Sequence, residues 1–526
     1  MIPSKPPFLS PLHVLLCAMV LTFCMAMPGA GQAPSPSDPG NVSLEALAPE
    51  LSFLDWAEGV MGDDETATPT EQLRTFEGLT LRNCLELALQ QNFGLIISKR
   101  GLLSSQSSYR EARAEFTPFL TINGEAGIGK DRQRVEEELV ETKRKHITGG
   151  AEVRQNIATG GSVRIGANTG RTGVLESTYD TDASIQFEQP LLRGGGIRRG
   201  LASLRKSHLS LLETEIQDAL EERDIALQVI QQYFDILSSK RELQVSLDAV
   251  AEKERFYEAT IIRFRLDEIA ESEISRAEIQ LLQERNDVVT RRRSYQESLE
   301  GLLVLLGLPL ETPISVSDPT ESLLEMSNAA LPELEECVTE AMSNRLELVE
   351  SDLEVRQQKI NLDIAKNEIL PNLDFSAGYN ADDSGINFGE SRHVRDNTSW
   401  DTVLTFSIPL PNTGKREALF RSRLSLENSE TRRLSQERDV IRDVMQAYRR
   451  VKASESSLLI LKRTVEQAQK SLDQETARFE NGLSTSLEVR NAQDDLFETQ
   501  TRYFSELLNY QSNIARLYKS MGRNLF

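Results

Sequence analysis

The chain has 526 residues, with 81 acidic against 59 basic side chains, a net charge of −22, four Cys and only 6% aromatics. That acidity excludes nucleic acid as the main partner, because a phosphate polyanion needs a basic footprint. Length alone permits one to four domains.

Lys5 precedes the apolar run HVLLCAMVLTFCMAM (residues 13–27), which is followed by the small residues PGAGQA. This is the pattern of a secretory signal peptide, expected over residues 1–33. The run is shorter than the roughly 20 residues a spanning helix needs. The bulky Phe23 ahead of Cys24 departs from a lipoprotein signal. Removal takes Cys17 and Cys24 and leaves Cys84 and Cys337. Two thiols can pair or sit buried, but they cannot make a disulfide scaffold or a four-cysteine zinc site. Residues 34–78, including APSPSDPGNVSLEALAPE and GDDETATPTEQ, have linker composition. The mature chain contains no second apolar run of 18 residues, so any membrane crossing must use strands.

Beyond the linker the chain is duplicated. CLELALQQNFGL (84–95) matches CVTEAMSNRLEL (337–348), YREARAEFTPFL (109–120) matches LDIAKNEILPNL (362–373), and RFRLDEIAESEISRAE (263–278) matches RFENGLSTSLEVRNAQ (478–493) without a gap. Cys84 is thereby aligned with Cys337, Pro118 with Pro371, Tyr233 with Tyr448 and Gly307 with Gly522. The first repeat is expected over 79–310 and the second over 333–526, with the Pro-containing stretch 311–332 as connector.

Within the first repeat, helical signal runs to Pro118 and then the period changes to two. Leu120, Ile122, Gly124 and Ala126 share one face of a strand expected over 119–128. Residues 146–170 alternate on both sides of the turn ATGG and read as an extra hairpin. Its alternation does not decide whether it enlarges a barrel or decorates the mouth. A returning strand is expected over 183–189, with Ala183, Ile185 and Phe187 alternating against Ser184, Gln186 and Glu188. The second repeat has strands over 372–380 and 400–408, the latter ending before Pro409. Four such strands cannot enclose a pore alone, so a membrane barrel would need several chains.

After the returning strands the period becomes seven. Val229, Ile236, Leu243, Val250, Tyr257 and Phe264 recur at that spacing, as do Val444, Val451, Leu458, Val465, Leu472 and Phe479. The descending arms continue with Leu281, Val288, Tyr295 and Leu302, and with Leu496, Tyr503, Tyr510 and Leu517. A sustained heptad seam on consecutive arms means paired, supercoiled helices. Long helical hairpins are expected over 196–306, with a tip near 265–272, and over 415–522, with a tip near 480–487. At 1.5 Å per residue each coil would reach about 100 Å.

Between strand and coil lies FEQPLLRGGGIRRG (187–200). A glycine-rich strand-to-helix turn is where phosphate-binding loops sit. Here the preceding strand alternates instead of being apolar throughout, no βαβ succession surrounds it, and the second repeat reads PLPNTGKR (409–416), without the fingerprint. Pro190, Gly194, Gly195 and Gly196 therefore read as a mechanical joint, as do Pro118, Pro371 and Pro409 at the equivalent transitions.

LTLRNCLELALQQN, ARAEFTPFL, NEILPNL, FSIPLPNTGKR and RFENGLSTSLEVRNAQ, in this order and with the duplication, resemble the TolC-like outer-membrane efflux proteins, or outer membrane factors, over residues 79–524. The resemblance implies a mainly α chain with a membrane β-barrel portion. Each unit would be a helix, two strands and a long helical hairpin, and a homotrimer would close one barrel continued by a coiled-coil tunnel. It implies the outer membrane of a Gram-negative bacterium, with a large periplasmic helical part and with outer-membrane lipid in contact with the barrel. A periplasmic adaptor and an inner-membrane pump are the implied partners, and the function is a passive exit duct for efflux or type I secretion. A periplasmic coiled-coil scaffold without a pore is the competing reading.

The family pattern places two acidic residues three apart just after the second tip, as pore constriction. Here the positions hold Glu488, which matches, and Asn491, which departs. Gly482 and Leu483, after Arg478 and Phe479, match the family's tip turn, and Ser484 comes next; Phe264, Leu266, Asp267 and Glu268 stand at the first tip as the corresponding adaptor-docking positions. Asp267 occupies the place of Gly482, which argues for two unlike tips. Asp267, Glu268, Glu271 and Glu273 would make an acidic mouth, able to guide an adaptor or cationic cargo or simply to be solvated. No catalytic constellation, cofactor or metal is expected: His146, His208 and His393 lack partners at ligand spacing, and no G-x-S-x-G occurs.

Overall fold

The structure is a computed structural model, and it describes residues 76–135, 138–173, 178–267, 270–317, 331–386, 391, 397–481, 483–484 and 486–525. The expected signal segment, nearly all of the linker and residues 318–330 of the connector lie outside the described residues. The chain divides into two units, Met1–Gln72 and Leu73–Phe526, and every described element belongs to the second.

The first repeat opens with β1 (Phe76–Leu79), α1 (Leu81–Gln91) and α2 (Phe93–Ala114). Thr80 starts α1 by accepting from the Asn83 amide at 3.3 Å, and Asn92 starts α2 by accepting from the Leu95 amide at 3.2 Å. Both are side-chain N-caps, which satisfy amides that the first turn leaves without partners. Four strands come next: β2 (Phe119–Val135), β3 (Glu138–Asn156), β4 (Ser162–Thr172) and β5 (Thr178–Pro190). Then come the short α3 (Ile197–Gly200), the 64-residue α4 (Ala202–Arg265), α5 (Glu271–Leu306) and β6 (Ile314–Val316). The second repeat comprises α6 (Leu334–Asn344), α7 (Leu346–Glu368), β7 (Asn372–Gly385), β8 (Asn397–Ser407), the 68-residue α8 (Thr413–Glu480) and α9 (Ser486–Ser520).

β1 and β6 pair in parallel, so the first and last parts of repeat one are stitched together by residues that read as linker and connector. Among the described residues no helix is long and apolar enough to cross a membrane.

The six longer strands form one antiparallel sheet in the order β2-β3-β4-β5-β7-β8. The hairpin whose place the sequence left open is an integral part of this sheet: β3 and β4 lie between β2 and β5. Directly opposed residues share a face. One register row runs Leu120, Val153, Ile165, Ile185, Tyr379, Trp400 across all six strands. The adjacent row runs Thr121, Glu152, Gly166, Ser184, Asn380, Ser399. One face is apolar and solvent-exposed, the other polar.

The helices build two cores that repeat one another. Cys84, Ala88, Val229, Ile236, Leu302 and Leu306 are buried in the first, and Cys337, Ala341, Val444, Val451, Leu517 and Met521 occupy the aligned places in the second. Their hydrophobic seams are the predicted heptads; the first series passes from buried at Val229 and Ile236 to half-buried at Leu243, Val250 and Tyr257. Cys84 and Cys337 sit in separate cores as free thiols. Burial pushes the Cys84 thiol up to about 12, and Cys337 is likewise raised.

Equivalent contacts recur in detail. Gly307 (φ 69°) caps α5 and Gly522 (φ 77°) lies just past α9, both in the left-handed region, and each packs on the end of the short helix that opens its own repeat. A Cβ there would come within 2.2 Å of the Gln91 carbonyl or 2.7 Å of the Asn344 carbonyl. Asn92 donates to the Leu305 carbonyl at 2.9 Å, and Arg345 donates to the Ser520 carbonyl at 3.1 Å.

Candidate functional site

At the glycine joint, Gly194 and Gly196 have φ of 85° and 93°, and a Cβ on Gly195 would lie 2.3 Å from the Pro190 carbonyl oxygen. Only glycine serves at all three places, two for backbone sign and one for space. The loop's amides are not left open for a ligand. Gly194 donates to Asn367 Oδ1 at 2.7 Å, Gly196 donates to the Thr159 carbonyl at 2.9 Å, and Arg193 donates to the Pro371 carbonyl at 3.2 Å. Asn367 also donates through Nδ2 to the Leu192 carbonyl at 3.2 Å. Pro190 ends β5, Pro371 precedes β7, and Pro118 and Pro409 flank β2 and β8 at exposed positions.

Glu368, at the end of α7, ties the two joints together. Lys415 from α8 reaches it at 2.7 Å and Arg199 from α3 at 3.5 Å. The hydrogen bond from Lys415 holds the Glu368 carboxyl below the usual carboxylate range. Asn412 donates to the Ile369 carbonyl at 3.2 Å. Sequence reasoning missed Asn367, Glu368, Arg199 and Lys415, because nothing local shows that distant charges converge.

At the second tip, Glu488 is exposed in the first turn of α9, where a carboxylate complements the helix dipole. Ser484 is half-buried, and its hydroxyl stands 2.8 Å from both Glu488 Oε2 and Glu475 Oε2. One hydroxyl proton serves only one acceptor at a time. Glu475 is further bound by Arg478 at 2.8 Å. Asn491 is exposed three residues beyond Glu488, on the same helix face. Leu483 is 72% exposed, and its amide donates to the Arg478 carbonyl at 2.8 Å. Gly482 and the side chain of Phe479 lie outside the described residues.

At the first tip, Phe264 lies in the last turn of α4 and Leu266 caps it, both exposed. Asp267 takes φ 58°, the left-handed conformation, so the chain reverses there without glycine. Asp tolerates this region better than most side chains. The lack of glycine therefore does not by itself make the two tips unlike in backbone. Glu268 lies outside the described residues. Glu271 and Glu273 occupy the first turn of α5, facing its dipole, and Arg276 pairs with Glu273 at 2.8 Å.

Between the two hairpins, α9 leans on α4 through a ladder of contacts. From the base toward the tips these are Lys519 with Asp224, Ser505 with Ser238 at 3.1 Å, Asp494 with Lys253 at 3.3 Å, and Arg490 stacked 4.0 Å over the Phe256 ring. The last rung sits two residues from Glu488, so the expected constriction carboxylate is carried by a helix fastened to its neighbour.

An antiparallel sheet with one apolar and one polar face, joined to two pairs of coils, each with an arm of more than 60 residues, defines a membrane β-barrel subunit continued by a helical duct. The outer membrane efflux protein family matches residues 84–308 and 337–523, one stretch in each repeat, and the chain belongs to that family. It is 23% identical over 366 residues to the outer membrane protein TolC of Escherichia coli K12, covering 65% of this chain and 69% of that one. Among solved structures, the outer membrane protein VceC of Vibrio cholerae superposes with a TM-score of 0.64 at 14% identity, covering 85% of this chain and 97% of VceC. The CmeC outer membrane channel of Campylobacter jejuni gives 0.62 at 12% identity, covering 94% of both chains. The protein is thus an outer-membrane efflux channel subunit, with strands in the outer membrane and helices in the periplasm.

Proposed function

We propose that three copies assemble into a passive exit duct, with their sheets closing one barrel and their coils one tunnel. The observation that carries this is the six-stranded sheet, which among the described residues has both outer edges unpaired and an apolar row crossing every strand on one face. Such a sheet cannot stand alone in lipid, where every backbone polar group needs a partner.

Three copies of Glu488 converge on the axis at the tips and narrow the closed tunnel with a ring of carboxylates, favouring cations. Asn491 faces the same lumen without adding charge. Opening separates α9 from α4, and the energy comes from an inner-membrane pump acting through a periplasmic adaptor. The adaptor seats on the tips around Phe264, Leu266, Asp267 and Glu268, and around Phe479, Gly482, Leu483 and Ser484. The chain itself performs no chemistry.

Leu483 is the side chain to exchange for a photo-crosslinking residue, being far more exposed than its neighbour Ser484. Irradiation of cells is expected to capture a periplasmic adaptor, identified by mass spectrometry. Capture of its own chain alone would contradict docking at this tip.

A further inference from the structure

We propose that the β3–β4 hairpin is part of the membrane wall, so that three copies close an eighteen-stranded barrel around a wide aqueous lumen. This rests on the trimeric reading above. Six strands come from each copy, in the order β2-β3-β4-β5-β7-β8, every neighbouring pair antiparallel. An even number means that β8 of one copy runs opposite to β2 of the next, so the two free edges can pair antiparallel and closure leaves none exposed.

The extra hairpin carries the marks of wall strands. The apolar row passes through Val153 and Ile165 without interruption between Leu120 and Ile185, and these four side chains are exposed in the single chain. On the opposite face Glu152, Arg154 and Arg164 join the polar side, and Arg164 reaches Glu188 of β5 at 3.2 Å. β4 has 11 residues, the same as β8, which suffices for a tilted crossing. A hairpin lying over the mouth would be wetted on both sides and would not continue an apolar row.

The consequence is dimensional. With strands about 4.8 Å apart and tilted about 40°, eighteen strands make a barrel roughly 35 Å across between backbones, against roughly 24 Å for twelve. The larger class leaves an open channel. Size selection then falls to the coil tips, and the barrel passes whatever the tips release.

The test places single cysteines in the full-length protein reconstituted in lipid: Glu152→Cys and Arg164→Cys on the polar face, Val153→Cys and Ile165→Cys on the apolar face. The native thiols Cys84 and Cys337 are buried and contribute little background. A charged maleimide is expected to label the first pair at least tenfold faster than the second, and a fluorophore on the second pair is expected to be quenched by a lipid-borne nitroxide. Water labelling of all four positions at similar rates would overturn wall membership and leave the trimer standing. Hydrogen exchange of the unmodified protein is expected to show the β2 and β8 edge amides as protected as those of β5; fast exchange at either edge would overturn closure. Native mass spectrometry should give three copies, and any other number would overturn the strand count together with the trimeric reading.

Discussion

In the proposed duct, the charge at the constriction rests on one residue per chain. Glu488 sits in the first turn of α9 and shares the Ser484 hydroxyl with Glu475. Glu488→Gln is expected to lower cation-over-anion preference several-fold, read as the reversal potential across a salt gradient in planar bilayers. Asn491→Asp should raise it by adding a second ring of carboxylates. Unchanged selectivity in both variants would place these residues away from the axis. At the other tip, Asp267 holds a left-handed backbone. Asp267→Gly is expected to be neutral or stabilising, whereas Asp267→Ala should cost about 1 kcal/mol, seen as faster amide exchange confined to the tip.

At the scale of elements, strands must become coils and hairpins must hold together. Glu368 bridges Lys415 and Arg199, and its carboxyl is held below its ordinary value. A depressed carboxylate stabilises the fold above its unfolded pKa and loses that contribution as pH falls through the folded value. The protection of joint amides relative to their intrinsic exchange rate is therefore expected to stay flat from pH 7 to about 5 and to fall only below the ordinary glutamate range of about 4.3. Glu368→Gln should abolish that pH step and leave protection lower above it, and a step that persists in the variant would assign it to another group. Gly307→Ala and Gly522→Ala each combine a left-handed backbone with a Cβ facing a carbonyl oxygen. Both should lower the thermal midpoint, Gly307→Ala more, since its clash is at 2.2 Å against 2.7 Å. By mechanism the cost is about 2 kcal/mol or more.

Elements were legible where a period was long. The heptads from Val229 and Val444 name the buried seams, and the matched cores around Cys84 and Cys337 reflect the duplication. The β1–β6 pair was not legible, since each strand is four residues or fewer and lies in stretches of linker composition. Nor was the ladder between hairpins. Spacing places Lys253 with Phe256 on one face of α4, and Arg490 with Asp494 on one face of α9, but nothing in the sequence says that those faces meet. The hairpin at 146–170 alternated clearly, yet its place in the sheet depends on pairing with β2 and β5, which alternation alone does not encode.

For the whole molecule, the duplication gives each repeat its own helical core and long hairpin, and the sheet the repeats share is unfinished by itself. Among the described residues both edges lack partners, and the apolar row ends at Leu120 on one side and Trp400 on the other. In the proposed assembly, closure by further copies satisfies the edges and gives the apolar face lipid to meet. The most direct test is electron cryomicroscopy of the full-length protein in lipid nanodiscs. A threefold particle is expected, with a continuous ring of strands inside the disc and a coiled tunnel about 100 Å long projecting from one side. Particles outside the disc, as single copies or as pairs with their sheets packed face to face in water, would contradict the account.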